Sequence, residues 1–199
     1  MKAKERDEFL RAAWRVLEAG EFEARDFVFV DECGTHTSLA PLHGYSPRGE
    51  RVHLEAPRNR GSNTTLLASM SIEGMGECLA VEGTTTKVVF ETYVERVLAP
   101  SLRVGQVVVM DNLSAHKGDR LRELIEARGC ELLYLPPYSP DLNPIEEAFS
   151  KMKTLLRKAA ARTREALIEA LGEAISAVSP TDALGFFEHC GYRDPVQLL

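Results

Sequence analysis

The sequence predicts an α/β fold in which a mixed five-stranded sheet is flanked by helices, with additional helices at the C-terminal end. Three observations carry that expectation. Two continuous apolar runs, Phe27-Val28-Phe29-Val30 and Val107-Val108-Val109-Met110, each end in an aspartate. Such runs read as central strands covered on both faces. Thr64–Ile72 and Glu77–Val81, separated by Glu73-Gly74-Met75-Gly76, read as a hairpin completing an antiparallel edge. Helical periodicity fills the intervals between and after these strands.

Taken in order, residues 4–19 are amphipathic, with Phe9, Leu10, Ala13, Trp14 and Leu17 on one face. That face is expected to pack on the core; the alternative is the tail of a linker. The first strand falls at about 26–31, and the Gly-, Pro-, His- and Arg-rich stretch Gly34–Asn63 reads as a long loop with a short strand at Arg51–Leu54. After the hairpin, Thr85–Leu98 carries Val88, Val89, Tyr93, Val94, Val97 and Leu98 at helical spacing. The strand ending at Asp111 follows, then a helix over Gly118–Arg128 and a strand over Glu131–Leu135. Pro136-Pro137-Tyr138-Ser139-Pro140 is a proline-fixed crossing into a helix over Pro144–Ala160. Asn143 as N-cap, Pro144 at the first position and Glu146 three residues after the cap mark its start. Helices over Arg164–Val178 and Thr181–His189 complete the chain. Three strands, helix, strand, helix, strand, helix is the element order of a ribonuclease H-like core. Residues 1–25 are expected to form an N-terminal helix or linker, and residues 26–199 a single domain of that kind.

Composition narrows the classes. The chain has 199 residues with 44% hydrophobic content, enough for one substantial core. A formal net charge of −6 argues against a protein that simply coats nucleic acid, because such binding displaces counterions with Lys and Arg. Local charge differs: Lys151, Lys153, Arg157, Lys158, Arg162 and Arg164 follow one another with no acidic residue between them. A second basic stretch holds Arg48, Arg51, Arg58 and Arg60, diluted by Glu50 and Glu55. Focused basic patches on an acidic body fit an enzyme that handles DNA at a defined place; solvated helix and loop faces are the alternative. Cys33, Cys78, Cys130 and Cys190 form no CxxC pair, which disfavours a zinc module and reads as reduced intracellular thiols. With a charged amino terminus and no apolar run of membrane-spanning length, the expectation is a cytoplasmic protein without membrane partners.

Asp31, Asp111 and Glu146 carry most of the chemistry. Two lie at the carboxyl ends of strands, where open α/β sheets hold their ligands, and the third lies in the first turn of a helix. Carboxylates so placed can converge, and an oxygen-only cluster suits Mg²⁺ or Mn²⁺ rather than zinc or copper. The alternatives are ordinary: Glu146 as a capping-box acid, Asp31 or Asp111 as turn residues. Glu32, pointing opposite to Asp31, is expected to make a local contact. Asn112 is expected to support the Asp111 loop, and Asp141 to form a turn.

The strings FVFVDECGT, VVVMDNLSAHKG and LPPYSPDLNPIEEAF resemble the catalytic core of the mariner-superfamily transposases, in the branch found in bacterial insertion sequences. Thirty-four residues lie between Asp111 and Glu146, the spacing of the Asp-Asp-Glu members of that superfamily. The resemblance spans Phe27 to Tyr192. It implies that Asp31, Asp111 and Glu146 are the metal ligands of a catalytic site using two Mg²⁺ ions, with Mn²⁺ able to substitute. It implies hydrolytic cleavage at the ends of a DNA element, then joining of the 3′-hydroxyl to target DNA, typically at a TA step. It further implies a dimer assembled on DNA and helix-turn-helix domains ahead of the core. Only about twenty-five residues precede the first strand, so the chain reads as a catalytic domain, a shortened transposase or one piece of a split one. The competing functions are another ribonuclease H-like nuclease, and a shortened or remnant transposase that binds DNA or transposase as an inhibitor.

Three further residues are candidate DNA contacts. Residues 146, 150, 153 and 157 share one helical face, which carries Lys153 and Arg157 about 10 and 16 Å beyond Glu146 at 1.5 Å per residue. Both are expected to position backbone phosphates without reading bases. Ile145, Phe149, Met152 and Leu156 take the buried stripe. His116, five residues after Asp111, either approaches a phosphate or makes a loop hydrogen bond.

Overall fold

Apolar runs become strands at the places where they can be covered on both faces. The computed structural model describes residues 6–53, 55, 57, 61–112 and 118–193. Five strands, β1 (Phe27–Thr35), β2 (Thr64–Ser71), β3 (Gly74–Glu82), β4 (Val107–Met110) and β5 (Glu131–Tyr134), form one sheet in the order β3-β2-β1-β4-β5. β1 runs antiparallel to β2 and parallel to β4, and β4 runs parallel to β5. The mixed sheet and its flanking helices match the ribonuclease H-like order expected from the sequence.

Because side chains alternate along a strand, β1 feeds two cores. Phe27, Phe29 and Cys33 face α4 (Pro144–Ala159), α5 (Arg164–Ser176) and α6 (Pro180–Cys190). Val28 and Val30 face α2 (Lys87–Tyr93) and α3 (Asp119–Glu126) on the other side. On the first face Tyr192 sits 5.1 Å from Phe29 and 5.2 Å from Phe27, and Phe187 stands edge-on to Phe29 at 5.3 Å. The apolar stripe of α4 is buried as its periodicity predicts, through Ile145, Phe149, Met152 and Leu156. Each such side chain contributes roughly 1.5–3 kcal/mol of transfer free energy. This packing fixes α4 against β1, and with it the geometry of whatever its first turn presents.

Several boundaries depart from the sequence reading. β1 does not stop near residue 31: Glu32 to Thr35 continue in register with β2 after β4 has ended. The hairpin turn is only Ile72-Glu73, because Gly74, at φ 119°, supplies the left-handed residue that lets β3 begin at once. Residues 51–53 form no strand, and Leu54 lies outside the described residues. The stretch 85–98 is α2 followed by a π-turn at Val94–Leu98; Phe90 is fully buried and Val88 is exposed.

The N-terminal segment buries only part of its expected face, Trp14 fully and Ala13 partly. α1 spans Glu8–Ala13 and runs into a π-turn at Trp14–Glu18. Phe9, Leu10 and Leu17 are exposed, whereas Arg11 and Trp14 are buried. The cause is tertiary: Arg11 is drawn inward by a carboxylate, Asp141, at 2.6 Å, and Trp14 meets Tyr192 edge-on. A wide π-turn then shifts the helical register beyond Ala13. Among the described residues, no helix is long and apolar enough to cross a membrane.

Candidate active site

Val30 and Met110 are the last pair in the parallel β1–β4 ladder. Asp31 and Asp111 are therefore adjacent, each one residue past the end of that ladder, Asp31 within β1 and Asp111 just beyond β4. Asp31 keeps pairing with Ala68 of β2, so its backbone is held rather than loose. Its side chain points to the α4 face and is buried at 6% exposure, and Asp111 is half-buried. Glu146, in the first turn of α4, is exposed. All three acids line one open cleft of about 390 Å³, together with Asn112, Asn143 and the 135–140 segment.

That segment is rigid for chemical reasons. Pro136, Pro137 and Pro140 have fixed φ and no N–H, so backbone pairing ends where Leu135 donates to the Met110 carbonyl at 2.8 Å. Tyr138 adopts φ 54° and is exposed at the cleft wall. A non-glycine residue held there costs on the order of 1–3 kcal/mol and is tolerated because prolines constrain both sides.

Asn143 precedes α4 as expected, but its side chain caps nothing. Its Nδ2 instead donates to Asp31 Oδ2 at 2.8 Å inside the protein, and the Glu32 N–H donates to Asp31 Oδ1 at 2.7 Å. The backbone N–H of Asn143 is satisfied by the Pro140 carbonyl at 3.0 Å, which leaves Glu146 without a capping-box partner. The ordinary reading of Glu146 as a capping acid therefore fails. Asn143 is the residue the sequence reading missed, since an Asn before a Pro signals a cap and nothing local names Asp31 as its partner.

The donor set suits a hard cation. Asp31, Asp111 and Glu146 offer only oxygen, and the Oδ1 of Asn143 is buried beside them without a hydrogen-bond donor. Among the described residues, however, no three acidic, His or Cys side chains stand close enough to share one ion. Like charges at a common cleft repel; two hydrogen bonds fix Asp31 at the cleft wall, while Glu146 lines the same cleft from an exposed position. The donor chemistry of the cleft fits Mg²⁺ or Mn²⁺.

Lys153 and Arg157 are half-buried on α4. Lys153 lies beside Cys33, two residues past Asp31. Burial pushes the Cys33 thiol up, Lys153 counteracts this, and Glu146 and Asp31 add to the rise. The other basic residues of the stretch are largely committed to the fold. Lys151 pairs with Asp182 at 2.6 Å, Arg162 donates to the Thr37 and Leu39 carbonyls, and Arg164 pairs with Glu82. Arg157 and Lys158 make no ion pair among the described residues. His116, Arg58 and Arg60 lie outside the described residues. Asp141, expected as a turn former, sits in the helical turn Pro140–Leu142 but also binds Arg11.

Residues 26–168 match the family described as DDE superfamily endonuclease. Among solved structures, a pre-cleavage Mos1 transpososome is similar at TM-score 0.69 and 18% identity, over 92% of this chain and 56% of that one. A mariner Mos1 paired-end complex with Mg gives 0.69 and 18%, over 96% and 62%. The Mos1 transposase catalytic domain with Raltegravir and Mg gives 0.61 and 18%, over 92% and 87%. The chain thus spans little more than half the length of the first of these. No curated protein matches it.

Proposed function

The chain belongs to the DDE superfamily endonucleases, and on that premise we propose that it is the catalytic domain of a DNA transposase of the bacterial insertion-sequence branch. It cleaves DNA hydrolytically at element ends and joins the freed 3′-hydroxyl to target DNA. The observation that carries this reading is the shared cleft of Asp31, Asp111 and Glu146, drawn from the place where the pairing of two adjacent parallel strands ends and from the start of a helix packed on them. These three acids would hold two Mg²⁺ ions, for which Mn²⁺ would substitute. Bound there, the ions would supply an activated water or hydroxyl and neutralise charge on the phosphodiester.

The chain's own residues do the rest. Asn143 and the Glu32 N–H hold Asp31 in one rotamer, so its carboxylate needs little reorganisation to act as a ligand. Glu146, exposed on a rigid helix, is the ligand that adjusts. Lys153 and Arg157 position the backbone of bound DNA. Structures similar in fold are described as paired-end and strand-transfer complexes, which supports DNA ends as the partner and a dimer as the working assembly. Specific end recognition falls to a helix-turn-helix portion of the transposase.

A strand-transfer assay with a pre-cleaved 3′-hydroxyl end, run beside a nicking assay, tests the reading. Mg²⁺-dependent nicking and joining, both lost in Asp111→Asn, are expected. Nicking without joining would favour another nuclease of this fold, and neither activity in folded protein would favour a non-catalytic remnant.

A further inference from the structure

Asn143 can hold Asp31 only if the turn before it is itself held. That turn, Pro140–Leu142, is exposed at Asp141 and carries one proline, Pro140, but no sheet pairing. Besides Arg6, whose Nη2 donates to Asp141 Oδ2 at 3.4 Å, two shorter ties from distant parts of the chain fix it. From α1, Arg11 Nη1 donates to Asp141 Oδ1 at 3.0 Å and Nη2 to Oδ2 at 2.6 Å. From beyond α6, Tyr192 Oη donates to the Leu142 carbonyl at 2.6 Å. Trp14 and Tyr192 meet edge-on at 6.3 Å, so the two ties brace each other.

Arg11 is an unusual residue to bury. It is 4% exposed on a short helix whose Phe9 and Leu10 remain in solvent. Its two Nη atoms meet both oxygens of Asp141 in a fork, and its Nε lies 3.3 Å from Glu8 on the same helix. The pair is asymmetric, with the Asp141 side chain 47% exposed. Burial would raise the Asp141 carboxyl, yet the hydrogen bonds and charge of Arg11, helped by Arg6, hold it below its usual range. Asp141 is thereby kept ionised and oriented, and neither it nor Arg11 lines the cleft.

We propose that Arg11 is a positioning residue for the candidate site: through Asp141 it fixes the turn from which Asn143 holds Asp31. The effect on metal binding rests on the proposed function, whereas the effect on Asn143 does not. Without the fork, the turn rotates, Asn143 loses its 2.8 Å contact, and Asp31 samples rotamers in which its carboxylate no longer faces the cleft. Outer-shell partners of this type typically change metal affinity 10–100-fold when removed.

The test follows the Asn143 side-chain amide by nitrogen–proton NMR hydrogen exchange in the metal-free full chain, with Mn²⁺ affinity measured separately by calorimetry. Arg11→Ala and Asp141→Ala are each expected to speed Asn143 amide exchange and to weaken Mn²⁺ binding roughly tenfold. For Asn143 exchange the double variant should be no worse than Asp141→Ala, because losing that carboxylate already removes the contacts of both Arg11 and Arg6 to the turn. Arg11→Lys, which keeps charge but loses the fork, should fall between. Should Arg11→Ala not fold, Asp141→Asn at the half-exposed position carries the same measurement. Unchanged Asn143 exchange in a variant with native circular dichroism overturns the proposal, even if that variant melts earlier. Faster Asn143 exchange in a protein whose wild type binds no Mn²⁺ supports the positioning role and refutes the metal reading of the cleft.

Discussion

Glu147 and His189 form an ion pair that ties the first turn of α4 to the last turn of α6, one residue away from the cleft-facing Glu146. Cys190 also points its thiol at the same Glu147 oxygen, at 3.8 Å, and is pushed up to about 12 by burial first and by Glu147 and Asp141 next. Neighbouring glutamates on one helix thus divide the work: one faces the cleft, the other docks a helix.

A pH dependence follows from that pair. The hydrogen bond to Glu147, and then its charge, raise the His189 pKa above 6.5. A raised folded-state value means the contribution is fully present below the unfolded value and is lost as pH rises through the folded one. Wild type should therefore be more stable relative to His189→Gln at pH 5.5 than at pH 9. Urea unfolding of both proteins at the two pH values checks this; equal differences would show the pair to be inert. The pair is exposed, so the gap should be small.

The three acids should separate by stability as well as by activity. Asp31→Ala leaves the buried Asn143 amide and the Glu32 N–H without their acceptor and should cost about 1–3 kcal/mol. Glu146→Ala removes an exposed charge from an acidic cleft and should leave metal-free stability unchanged or slightly higher. Cleavage should fall at least roughly a hundredfold in either. Saturating Mn²⁺ at about 100 times its Kd should stabilise wild type by about 2.7 kcal/mol and both variants by less. Thermal melts with and without Mn²⁺ give the comparison.

For DNA, the double variant Lys153→Ala with Arg157→Ala should reduce the salt slope of binding by up to about two units, at about 0.9 per phosphate contact. Cleavage at saturating DNA should survive. Since Lys153 also lies near Cys33, the single Arg157→Ala should account for about one unit by itself. Fluorescence anisotropy over a salt series measures this, and an unchanged slope would return both residues to the fold.

The end of α4 offers a change in stability without a change in site. Ala160 closes the helix at φ 48°, ψ 38°, a left-handed cap that suits glycine better than alanine. Ala160→Gly should stabilise the protein by about 0.5–1 kcal/mol in urea unfolding with activity unaltered.

The features legible in sequence share one property: their cause is local. Val107–Met110 reads as a buried strand because four apolar residues in a row leave no other use, and α4 announces itself through a proline start and an apolar stripe. The acids could be picked out because Asp31 and Asp111 each follow an apolar run and Glu146 lies in the first turn of α4. What escaped reading depends on partners far along the chain. Asn143 looks like a cap until Asp31, 112 residues away, takes its amide. Arg11 sits on the polar side of any helical wheel, and only Asp141, 130 residues on, turns that side inward.

The central place of β1 has a consequence for how the protein comes to exist. Phe27–Val30 leaves the ribosome long before Val107–Met110, its partner on one edge. Until β4 arrives, that edge is a row of unpaired N–H and C=O groups flanked by phenylalanine and valine, the composition that templates intermolecular strand addition. The same pairing that brings Asp31 beside Asp111 is non-local and slow to close. A nascent chain stalled before residue 107 is thus an aggregation hazard as well as an inactive protein, and chaperone demand during synthesis should concentrate in that interval.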